Sequence, residues 1–66
     1  MLKFNLRDKV KINIKSSDLD PARNLNDKIL IIDNHIPTLN SWIVLWVYEG
    51  KPYSSIIKEE FLDKVA

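Results

Sequence analysis

Trp42-Ile43-Val44-Leu45-Trp46-Val47-Tyr48 is the stretch on which the architecture turns. Successive side chains of a strand point to opposite faces. Trp42, Val44, Trp46 and Tyr48 therefore share one face, and Ile43, Leu45 and Val47 share the other. Both faces are apolar, so this strand asks for cover on two sides. Seven residues are far short of the roughly 20 that a membrane-spanning helix needs. Glu49-Gly50-Lys51-Pro52 follows as a tight turn and holds the only glycine of the chain. Residues 53–58 return as the partner strand, with a register that the pattern leaves open by one residue.

Upstream, Lys28-Ile-Leu-Ile-Ile-Asp-Asn-His35 carries four consecutive aliphatics and reads as a second doubly apolar strand, with Asp33-Asn34 as its end or a bulge. Residues 36–41 form a loop in which Pro37 denies a ladder hydrogen bond. Residues 8–15 alternate Val10, Ile12 and Ile14 with Lys9, Lys11, Asn13 and Lys15, which predicts a half-buried strand with a lysine-rich wet face. The polar segment 16–27 joins these two strands. Ser17 or Asp18, or Asp20 followed by Pro21, can cap a single helical turn there. Leu19 and Leu25 are expected to pin the loop to the core. Residues 58–62 predict a short helical or 3₁₀ turn, and 63–65 a last short strand. A helix over 56–66 is the competing reading.

The chain has 66 residues, a formal net charge of +1, an apolar fraction of 45% and no cysteine. This bounds it to a single domain, 1–66, without a disulfide or thiolate metal site. Residues 1–15 carry five basic residues against one acidic, and residues 16–66 five against eight, a mild charge dipole along the chain. The N-terminal basic residues Lys3 and Arg7 precede no apolar segment of the kind a signal peptide has, so the default location is the cytoplasm.

Five short strands, two of them apolar on both faces, imply an all-β sheet that curls and closes on itself. The succession Leu6-Arg7-Asp8-Lys9-Val10, a long loop, Lys28-Ile-Leu-Ile-Ile32, Trp42 to Tyr48, Glu49-Gly50-Lys51-Pro52 and Lys58-Glu-Glu-Phe-Leu62 resembles a small SH3-like barrel over essentially the whole chain. The resemblance implies a five-stranded barrel with a short 3₁₀ turn before the last strand. Arg7 stands where such barrels often have glycine. The acidic cluster and the tyrosine pair that read proline in signalling SH3 domains have no residue-by-residue match, so proline-peptide binding is not implied.

No catalytic or cofactor signature is present. His35, the only histidine, has no recognisable nucleophile or acid beside it in the sequence. Asp18, Asp20 and Asp27 lack the ligand periodicity and closing glutamate of a calcium loop. One glycine cannot build a phosphate cradle. The expectation is a non-enzyme with no cofactor and no metal, although a small barrel can also form an enzyme site at a pore shared between subunits.

Two surfaces remain. Trp42, Trp46, Tyr48 and Tyr53, with Leu19 and Arg23 from the adjacent loop, form an aromatic protein-binding candidate, if Ile43, Leu45 and Val47 fill the core. The alternative reading makes Trp46 the central core residue and leaves only Trp42 or Tyr48 at the rim. Lys9, Lys11, Lys15 and Lys28 form a nucleic-acid-binding candidate for tracking a phosphate backbone. The leading expectation is an interaction module that docks on another protein as inhibitor, modulator or accessory subunit, or associates with itself. DNA or RNA binding is the alternative, and no membrane partner is expected.

Overall fold

A computed structural model describes residues 2–65. The elements are β1 (Lys9–Ile12), β2 (Leu30–Ile36), the 3₁₀ helix η1 (Pro37–Leu39), β3 (Ser41–Tyr48), β4 (Lys51–Lys58), the 3₁₀ helix η2 (Glu59–Phe61) and β5 (Leu62–Lys64). All five strands form one antiparallel sheet in the order β4-β3-β2-β1-β5.

Local chemistry explains each boundary. Glu49 (φ 50°) and Gly50 (φ 76°) are both left-handed, the signature of a two-residue hairpin turn matched to strand twist. The β3–β4 register is unbroken from Ser41↔Lys58 to Tyr48↔Lys51. Asp33 is the extra residue of a bulge between Ile32 and Asn34. The bulge restores His35 to the same side as Trp42, its cross-strand partner. β1 ends at Ile12, earlier than the alternation implies, and Asn13 still bonds across to the C-terminal segment. Its N–H donates to the Phe61 carbonyl at 2.9 Å, and its Nδ2 donates to the Glu60 carbonyl at 2.9 Å. Asp20 and Pro21 start a single turn: the Arg23 and Asn24 N–H groups both reach the Asp20 carbonyl at 2.9 Å, and Asp20 Oδ1 accepts the Ala22 N–H at 3.0 Å. The 3₁₀ turn before the last strand is η2, and among the described residues 56–65 the chain is strand, 3₁₀ turn and strand in place of the competing helix.

The sheet is open, which corrects the expected SH3-like barrel. No ladder joins β4 to β5, and these strands are the two edges. The barrel inference assumed that a doubly apolar strand must be covered on both faces. Here one face is covered by chain outside the sheet, and the other is left to solvent. Phe4, from the segment before β1, and Leu25, from the 16–27 loop, pack on Val10, Leu30, Ile32, Trp42, Val44, Trp46 and Leu62 to make the core. Leu25 pins the loop as expected. Leu19 does not, being 96% exposed.

Candidate docking surface

The tryptophans face inward. Trp42 is 1% exposed and Trp46 5%. Each indole N–H is spent inside the fold: Trp42 Nε1 donates to Glu59 Oε2 at 3.0 Å, and Trp46 Nε1 to the Ala22 carbonyl at 2.8 Å. Phe4 packs edge-on against Trp42 at 5.5 Å between centroids, and Tyr53 stacks on Trp46 at 5.9 Å. Of the aromatic candidates, Tyr48 and Tyr53 keep partial exposure. They line a shallow hollow of ≈ 360 Å³ with Asp20, Pro21, Ala22, Glu49 and Lys51. Arg23 lies over the Tyr53 ring at 5.9 Å, which makes it a brace between loop and hairpin. Leu19 projects to solvent away from any packed neighbour of the core.

The lysine set divides. Lys28 is committed to the loop: its ammonium donates to the Pro21 carbonyl at 2.8 Å and to the Asn24 carbonyl, and sits 5.1 Å from the Tyr48 ring centre. Lys15 is exposed in the segment after β1, beside Asn26 and Asp27. Lys9 and Lys11 lie on the outer face of the sheet. Lys9 pairs with Ile31, Ile31 with Leu45, and Leu45 with Ser54, a single rung across four strands. Lys11 stands opposite Asp63.

That outer face is the surface the sequence reading did not single out. Its β3 positions are Ile43, Leu45 and Val47, with Ile56 opposite Ile43 and Pro52 opposite Val47. Val47 is 69% exposed, Ile56 54%, and Ile29 and Leu45 are also exposed. Ile29, Ile31, Leu45, Val47 and Pro52, together with Trp46 and Tyr53, border a shallow groove of ≈ 350 Å³. Contiguous exposed aliphatics of this kind mark contact surfaces in soluble domains. The signal was present in the sequence, since both faces of 42–48 are apolar, but it was assigned to the tryptophan side.

Chemistry at single sites is sparse. His35 stacks on Trp42 at 4.3 Å, and its buried Nε2 has no hydrogen-bond partner among the described residues. Asp18 and Asp20 accept backbone N–H groups of their own loop, from Asp20 at 2.9 Å and Ala22 at 3.0 Å. Among the described residues no cluster of histidine or carboxylate side chains is arranged to hold a metal. No described helix is long and apolar enough to cross a membrane. Asp8 is a carboxylate with close donors around it. The Asn5 N–H, 2.9 Å from Oδ2, holds its carboxyl below the usual carboxylate range, with help from Lys64 at 3.4 Å. Comparison with protein-family models, curated proteins and solved structures finds no match to the chain.

Proposed function

We infer that the chain is a non-enzymatic module that docks on another protein through the outer face of its sheet. The carrying observation is the aliphatic outer face on which Ile29, Leu45, Val47 and Ile56 are exposed, with Ile31 and Ile43 half-buried between them. Burying it against a complementary surface is favourable at about 25 cal/mol per Å² of apolar area. Lys9 and Lys11 edge this surface on the β1 side. The partner that fits is a protein presenting apolar side chains with carboxylates along one margin. The β3 positions on the face of these lysines are Ile43, Leu45 and Val47, none of them aromatic, which weighs against base stacking by a nucleic-acid strand.

The test is capture from native lysate, with and without nuclease, using the wild-type chain and Leu45→Glu/Val47→Glu. The reading expects a nuclease-resistant protein retained by the wild type and lost by the variant, with both chains giving the same circular dichroism. Retention that disappears with nuclease, or an identical set of proteins on both chains, refutes it.

A further inference from the structure

We propose that the free edge of β4 pairs with β4 of a second copy of this chain, forming a two-fold dimer with a continuous ten-stranded sheet. This goes beyond the docking reading and uses a different surface, the edge of the sheet instead of its outer face. β4 is an eight-residue edge strand without a bulge. Long regular edges of this kind are templates for strand addition.

The backbone parity identifies the available groups. In an antiparallel ladder, facing residues alternate between hydrogen-bonded and non-hydrogen-bonded pairs. The Glu59 N–H donates to the Asn40 carbonyl at 3.0 Å, so odd-numbered residues of this segment turn toward β3. Pro52, which has no N–H to give, fits the opposite class. Pro52, Ser54, Ile56 and Lys58 therefore direct their backbone groups away from the sheet, and all four are exposed while Tyr53, Ser55 and Ile57 are half-buried.

A two-fold axis at Ser55 satisfies these groups. It sets Ser54 against Ile56 of the second copy and Pro52 against Lys58, giving about six inter-copy backbone hydrogen bonds. Tyr53 falls opposite Ile57 on the inner side. Lys51 falls opposite Glu59, whose Oε2 alone is used by Trp42. Lys51 and Lys58 lie on opposite faces, so the pairing sets no like charges against each other. The two outer apolar faces become one surface.

Sedimentation equilibrium of the wild-type chain at micromolar to millimolar concentration tests this. The expected mass is twice the 7.7 kDa chain, with the Ser54 and Ile56 amides becoming protected from exchange as concentration rises. Ser54→Pro removes one outward N–H and leaves the β3 ladder intact, so it is expected to shift the chain to monomer. Leu45→Glu/Val47→Glu, on the outer face, is expected to remain dimeric, which separates this contact from partner docking. A monomeric wild type, or a dimer in which the Ser54 and Ile56 amides exchange freely, overturns the proposal, and this readout stands even if the proline variant fails to fold.

Discussion

Trp46 Nε1 donates a hydrogen bond to the carbonyl oxygen of Ala22 at 2.8 Å, joining the middle of β3 to the long 16–27 loop. The bond is buried, so the loop is a layer of the core and not a free connection. Trp46→Phe leaves the Ala22 carbonyl without its donor. An unpaired buried acceptor costs about 1–3 kcal/mol. The expected result is a loss of unfolding free energy of that order in a urea titration, with faster amide exchange across residues 20–26.

Arg7 sits at φ 71° while its N–H donates to the Ile32 carbonyl at 2.8 Å. That bond fixes the backbone in the left-handed region, which costs a residue with a Cβ roughly 1–2 kcal/mol. Arg7→Gly is expected to raise stability by about 1 kcal/mol, read as a higher melting temperature.

His35 keeps the shape of an aromatic partner for Trp42 while leaving Nε2 without a hydrogen bond. Replacing an unsatisfied buried polar atom by an apolar one of similar shape is neutral or stabilising. His35→Phe is therefore expected to match or exceed the wild type in a denaturant titration, by up to about 1 kcal/mol. A large loss would mean that the imidazole has a polar role in the fold.

Asp8 has a carboxyl held below its unfolded value, by the Asn5 N–H first and then by Lys64. A depressed folded-state pKa adds stability that is present above the unfolded pKa and is lost as pH falls through the folded one. Asp8→Asn is expected to flatten the acid limb of the stability–pH curve, with a smaller difference between pH 7 and the acid range than in the wild type. Urea midpoints measured across that range check it.

Much of the element order was legible because local chemistry marks it. The alternation around Val10, the Asp20-Pro21 cap, the break at Asp33, the glycine turn and the 3₁₀ turn at 59–61 all carry residue types with one dominant use. The face of β3 that turns inward was not legible, because Trp42 to Tyr48 is apolar at every position and a period of two gives no sign. What decides it lies far away in the chain: Phe4 for packing, and Ala22 and Glu59 as acceptors for the two indole N–H groups. Closure was misjudged for the same reason. Apolarity on two faces shows that both can be buried, and does not show that the chain itself buries them. The outer face was therefore not singled out, and the tryptophans took its place.

β3 turns its tryptophans into the core and leaves Leu45 and Val47 on the outer face. Carbene footprinting of the free chain, read residue by residue along 42–48, tests this orientation. Labelling is expected to alternate, with Leu45 and Val47 modified and Trp42, Val44 and Trp46 protected. Labelled tryptophans beside protected Leu45 and Val47 would contradict it.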